Sequence, residues 1–281
     1  MSDSYSVSGE SSAIPVTATY PVSGPTAGPF PVVVIAHGFQ IPASAYDGYA
    51  HRLATFGYVA LNADYPASLF SPNHAQAALD VLGALDWASA QNASQTSPLA
   101  GLVDVQNAGI TGHSLGGKLS ILAAAEDTRV KAVIALDPVD DASNCSPAAC
   151  PSAASRMPLA VPTGFLGETL DEQAGFGGQA CAPANENFQS LYALASTPSL
   201  EVDVLGADHM SFLDSTSGCL VCGFCQTATA PQQQVIELSR AMVAAFYERY
   251  LRGDTRYDDY LVGATAQQRY VATSQASIAA K

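Results

Sequence analysis

Four β-branched residues and an alanine run without a polar break in Val32-Val33-Val34-Ile35-Ala36. A strand with one wet face alternates apolar and polar residues, so an unbroken run reads as a strand buried on both faces. Similar short runs recur in YVALNADYP, NAGITGHS, VKAVIALDPV, VPTGFLGE and SLEVDVLGADH. Helical patterns separate them. One runs from about Ala43 to Phe56. Another runs from about His74 to Ala90, with Leu79, Leu82 and Leu85 near helical spacing. LGGKLSILAAAE is a third, and Gln232 to Leu251 a fourth, with Leu238, Met242, Phe246 and Tyr250 along one stripe. Alternation of strand and helix implies βαβ units and a mostly parallel sheet with helices on both faces. An earlier strand in SAIPVTATYP leads through a Pro/Gly turn into the Val32 strand.

The chain has 281 residues, 48% of them hydrophobic, which is enough for a sizeable core. It reads as a single domain over residues 1–281, with its core at about 14–262 and the two tails outside. The connection from Asp140 to Leu159 is too short for a separate lid domain, so the site is expected to be open and shallow. No run approaches the roughly 20 apolar residues of a transmembrane helix. The 25 acidic residues outnumber 11 basic ones, the net charge is −14, and the only lysines are Lys118, Lys131 and Lys281. With no basic patch, nucleic acid is excluded as an expected partner.

The segment from Ala108 to Ser120, AGITGHSLGGKLS, contains Gly112-His113-Ser114-Leu115-Gly116. The β-branched strand before this Gly-x-Ser-x-Gly and the apolar helix after it form the strand–elbow–helix context of the α/β-hydrolase fold. Such an elbow strains the backbone at the serine. Side chains two residues away on either side would collide, and glycines remove them. Ser114 is thereby exposed at the positive end of a helix.

A serine hydroxyl needs a base. In this fold the chain order is serine, acid, histidine. Of His37, His51, His74, His113 and His209, only His209 follows Ser114, so His209 is the expected base. His113 is expected to pack or hydrogen-bond locally. His37 belongs to a His-Gly-Phe turn expected to supply an oxyanion hole, formed by the backbone N–H groups of Phe39 and Leu115. Two carboxylates compete for the acid: Asp137 after the strand that follows the elbow helix, and Asp171 after the next. Many α/β-hydrolases place the acid at the later position. Asp208, next to His209, is expected to point away.

GHSLGGK including Lys118, ALDPVDD, CAPANENF, DHMSFLD and a last helix ending in YLRGD together resemble the chlorophyllase family of α/β-hydrolases. The resemblance spans about residues 14–262. It extends more distantly to plasma-type platelet-activating-factor acetylhydrolases. In the family the first Asp of the Asp-Pro-Val-Asp segment is the triad acid, which implies Asp137. The chain departs from the family in three places. Leu115 replaces an arginine, Leu-Asp171 stands where glycine is common, and Asn187 lies near a family histidine. VPTGFLGETLD also resembles the acid-bearing strand of cutinase-like polyester hydrolases, which keeps Asp171 as the alternative.

The implied activity is serine carboxylic ester hydrolysis of a small hydrophobic ester or a polyester, without cofactor or metal, by a monomer. Phe39, Leu115 and Met210 are expected to form an apolar substrate rim. A non-catalytic ligand-binding protein on this fold is the remaining alternative. Cys219, Cys222 and Cys225 offer one ligand too few for a structural zinc. Disulfides are expected instead, one closing Cys145–Cys150 and one joining Cys181 to one of the last three. Six cysteines imply an oxidising compartment. The first residues, MSDSYSVSGE, show no signal peptide. The expected localisation is therefore secreted or extracytoplasmic after removal of a leader.

Overall fold

The computed structural model describes residues 1–22, 28–141, 145–175, 178–217, 219 and 221–281. Among the described residues nine strands form one sheet: β1 (Ser2–Tyr5), β2 (Ile14–Thr19), β3 (Phe30–Ala36), β4 (Val59–Ala63), β5 (Val103–His113), β6 (Val130–Leu136), β7 (Thr163–Gly167), β8 (Ser199–Val204) and β9 (Ala276–Ala280). Their order is β1-β2-β4-β3-β5-β6-β7-β8-β9. The six strands from β4 to β8 are parallel, and β1, β2 and β9 are antiparallel to their neighbours. This is the α/β-hydrolase architecture expected from the alternating pattern. The Pro/Gly turn expected between β2 and β3 falls partly on residues 23–27, outside the described residues.

The unbroken run in β3 is explained by its two neighbours. Val32, Val34 and Ala36 pack on one side of the sheet, and Val33 and Ile35 on the other. The first side is covered by α2 (His74–Ala93), α3 (Leu115–Glu126) and α4 (Phe188–Leu194). The second is covered by α1 (Asp47–Thr55) and α5 (Gln232–Tyr250). Asn73 caps α2, its side chain accepting the Gln76 N–H. Leu82 and Leu85 are buried in α2, but Leu79 faces solvent. Residues three apart drift around a helix, so the third leucine of such a series leaves the buried stripe.

The tails are part of the sheet and do not lie outside it. Residues 2–5 and 276–280 are its two edge strands. Polar SDSY buries only Tyr5, whose hydroxyl donates to the Asp80 carbonyl at 2.7 Å; Asp3 accepts from Trp87 Nε1 at 3.0 Å. ASIAA buries only Ala276. Backbone pairing holds these edges with almost no apolar pattern, which is why hydropathy misses them.

Because β3, β5, β6, β7 and β8 run parallel, their C-terminal ends open on one edge. That edge receives the loops carrying Phe39, Ser114, Asp137, Asp171 and His209. Close approach at its centre depends on Gly116, where an added Cβ would lie 2.1 Å from the Ala36 carbonyl oxygen. That neighbour is backbone and has little freedom to yield. Gly116→Ala is expected to cost about 3 kcal/mol or more, read as a fall in Tm of roughly 6–12 °C. A melting curve unchanged from wild type would contradict this packing.

Candidate active site

Ser114 stands between β5 and α3 with φ 55° and ψ −120°. This left-handed conformation is costly for a residue with a side chain. The flanking glycines allow it. A Cβ on Gly112 would meet the Gly116 carbonyl oxygen at 2.3 Å, and Gly116 itself lies against the end of β3. Asp137, at the end of β6, also has a positive φ, 41°. Its N–H donates to the Leu166 carbonyl, and the end of β6 is thereby tied to β7.

His209 opens a single turn of 3-10 helix, His209–Phe212. Asp208 does point away from the imidazole. Its carboxylate accepts from the Ser211 hydroxyl at 2.7 Å and the Ala228 N–H at 2.9 Å, fixing the turn. Three expected residues then fall in line. His209 Nδ1 lies 2.6 Å from Asp137 Oδ2, and His209 Nε2 lies 2.9 Å from Ser114 Oγ. Asp137 is fully buried and His209 nearly so, while Ser114 is half-buried. Burial pushes the Asp137 carboxyl up, opposed by the hydrogen bond from His209 and by the Glu168 N–H at 3.2 Å.

Asp171 is equally buried and equally near, but it meets a different part of the histidine. Its Oδ2 accepts the backbone N–H of His209 at 2.8 Å, and its Oδ1 accepts the Gln226 N–H at 2.7 Å. It therefore positions two loops and does not touch the imidazole through these bonds.

His113 is buried behind the site. Its Nε2 faces the His209 carbonyl at 2.8 Å, and a carbonyl only accepts, so Nε2 carries the proton. Nδ1 then accepts from the Tyr46 hydroxyl at 2.8 Å, and Tyr46 accepts the Gly38 N–H at 3.1 Å. Burial, together with His209, holds His113 well below the usual histidine range, so it stays neutral. This relay ties the His-Gly-Phe turn to the histidine loop. No sequence signal marks Tyr46.

Lys118 of α3 is completely buried. Its Nζ donates to the Asp141 carbonyl at 2.7 Å and pairs with Asp140 at 3.1 Å. Asp140 also accepts from Ser152 and from the Ala153 and Ala154 N–H groups. The segment that begins at Asp137 is thus anchored from below.

A cleft of about 440 Å³ opens over Ser114 and His209. Phe39, Met210, Val221 and Phe224 line it, together with Cys181 and Cys225. Leu115 does not line it. With Phe39, Pro66 and His74, Leu115 borders a separate small recess. As the first residue of α3, it presents one of the helix's unpaired N–H groups beside Ser114. Among the described residues the cleft walls come from the connections after β3, β7 and β8, and none of the described residues of the Asp140–Leu159 segment lines it; residues 142–144 lie outside the described residues.

All six cysteines are paired: Cys145–Cys150, Cys181–Cys225 and Cys219–Cys222. The first is the expected small loop, and Cys181 does join one of the last three. Three disulfides fit an oxidising environment. No helix among the described residues is long and apolar enough to cross a membrane.

The sequence profile of the family described as Chlorophyllase matches residues 3–273. The chain belongs to the chlorophyllase family. Chlorophyllase-1 of Arabidopsis thaliana is 24% identical to it over 258 residues, covering 85% of this chain and 77% of the relative. Chlorophyllase-2 of the same plant is 22% identical, covering 82% and 76%. A bis(hydroxyethyl) terephthalate hydrolase of Streptomyces coelicolor is 33% identical over 122 residues, 43% of this chain and 37% of the relative. As a chlorophyllase-family chain with a disulfide in its cleft wall, the protein ties two loops covalently at the site. The Cys181–Cys225 bridge closes 44 residues, a loop whose closure is worth about 4 kcal/mol. Replacing both cysteines by serine is expected to lower Tm by roughly 10 °C, measured by calorimetry. An unchanged Tm would show that the bridge does not hold the wall.

Proposed function

We propose that this chain is a serine carboxylic ester hydrolase working through an acyl-enzyme. The observation that carries the reading is the line Ser114 Oγ–His209 Nε2–Asp137 Oδ2, with spacings of 2.9 and 2.6 Å. Ser114 attacks the ester carbonyl as His209 Nε2 takes its proton. Asp137 holds the Nδ1 proton and stabilises the imidazolium. The Phe39 and Leu115 N–H groups receive the oxyanion. Collapse expels the alkoxide, which takes the proton from His209. Water, deprotonated by the same nitrogen, then releases the acid and restores Ser114.

The apolar lining favours hydrophobic esters, with Phe39 and Met210 in contact with substrate. Membership of the chlorophyllase family supports ester chemistry. A second reading, a polyester-type hydrolase, is favoured by the partial similarity to the terephthalate-ester hydrolase. The chain is read as one domain acting as a monomer, secreted or extracytoplasmic, in keeping with its three disulfides.

Hydrolysis of p-nitrophenyl acetate is the test. Ser114→Ala is expected to abolish it, and a wild type without turnover would instead favour a ligand-binding role. Asp137→Asn is expected to lower kcat by about 10⁴-fold. Asp171→Asn keeps an acceptor for one of its two N–H partners and turns an N–H toward the other, so a loss near tenfold is expected. The reverse ranking would exchange the two roles. A protonated imidazole cannot accept the Ser114 proton, so kcat/KM should be lower in acid than at neutral pH.

A further inference from the structure

Four buried residues close a ring of hydrogen bonds behind the site. His209 Nδ1 donates to Asp137 Oδ2 at 2.6 Å. The Glu168 N–H donates to Asp137 Oδ1 at 3.2 Å. The Asp171 N–H donates to Glu168 Oε2 at 3.0 Å. The His209 N–H donates to Asp171 Oδ2 at 2.8 Å. Asp137, Glu168 and Asp171 have no solvent exposure, and His209 has 3%. A Glu168 carboxyl oxygen lies within 4.8 Å of both an Asp137 oxygen and a His209 ring nitrogen. No feature of the sequence marked Glu168.

We propose that Glu168 is a positioning residue: its carboxyl holds the Asp171 N–H, and through Asp171 the His209 N–H, so that the closed ring keeps the His209 imidazole against Asp137. The proposal rests on the triad reading above. Glu168 does this as a neutral acid. Three carboxyls face each other here, and the one group in the ring able to carry positive charge is His209. Asp203 on β8 adds more negative charge near Asp137, with Glu172 in turn beside Asp203. Ionising Glu168 as well would bury a third anion among like charges. Its Oε1 has no hydrogen-bond partner among the described residues, which costs a neutral acid less than a carboxylate, although the backbone N–H groups of Asp171 and Leu170 act in favour of the anion. Burial, then Asp137, pushes the Glu168 carboxyl up to about 10.

Neutrality makes the effect on stability directional. In the unfolded chain Glu168 loses its proton near the ordinary value of 4.5. In the folded chain it keeps the proton to about 10. Between these values the unfolded state binds fewer protons, so stability falls as pH rises. Glu168→Gln imitates the neutral acid and removes this penalty.

The test compares wild type, Glu168→Gln and Glu168→Ala. Glu168→Gln should keep kcat/KM on p-nitrophenyl acetate within about threefold. NMR titration of the His209 ring, which needs no turnover, should give the same midpoint as wild type, since no charge is lost. The Tm advantage of Glu168→Gln over wild type should widen from pH 5 to pH 9. Glu168→Ala should lower kcat about tenfold with KM unchanged, because the ring is open. A His209 midpoint lowered by about one unit in Glu168→Gln would mean that an anion had been removed, and would overturn neutrality. A pH-independent Tm difference would do the same, and full kcat in Glu168→Ala would overturn the positioning role. Absence of ester hydrolysis in wild type would fall on the triad reading alone, because the titration and melting measurements still decide the state of Glu168.

Discussion

The backbone at Ser114 is where the molecule concentrates its constraint. A positive φ on a residue with a side chain is unfavourable by itself and persists only where its surroundings over-determine it. Here the surroundings are three elements brought to contact distance: the end of β3, the end of β5 and the first turn of α3. Gly112 and Gly116 are the points of contact, and each would place a Cβ within 2.3 Å of a backbone carbonyl oxygen. The conformation that lifts the serine out also fixes α3 against the sheet. Lys118, one turn into that helix, then reaches Asp140 and anchors the segment that starts at Asp137.

Behind the serine the site is backed by polar groups in place of hydrocarbon. Desolvating them is expensive, and the cost falls only when each donor finds an acceptor. Tyr46, His113 and the His209 carbonyl make one such relay, and Asp137, Glu168, Asp171 and the His209 N–H make another. The histidine is therefore held at both backbone groups as well as through its ring. Rigidity of that kind keeps the Ser114 hydroxyl and the His209 imidazole within hydrogen-bond reach of each other.

Much of this was legible in the chain. The elbow announces itself because the steric demand is local and only glycine meets it. The histidine follows from order, since one histidine lies after the serine. The parallel sheet follows from unbroken β-branched runs. The edge strands β1 and β9 were illegible because backbone pairing with a neighbour needs no apolar pattern. Leu79 was misplaced because spacing of three does not stay on one helical face. Leu115 was expected at the rim of the cleft, yet its side chain borders a neighbouring recess, since the first residue of α3 turns its side chain away from the mouth.

Asp137 and Asp171 mark the boundary most clearly. By itself the sequence determined the fold class, the strained serine and the histidine, since each follows from local sterics, periodicity or order along the chain. It also placed both acids at the same sheet edge, because both follow strands of that sheet. Only the tertiary structure decided that Asp137 meets the ring nitrogen and Asp171 the backbone N–H of His209. It also brought Glu168 between them. That choice depends on the register of β6, β7 and β8 and on the direction in which each chain leaves the sheet. These quantities are set by long-range packing, and a one-dimensional pattern does not carry them.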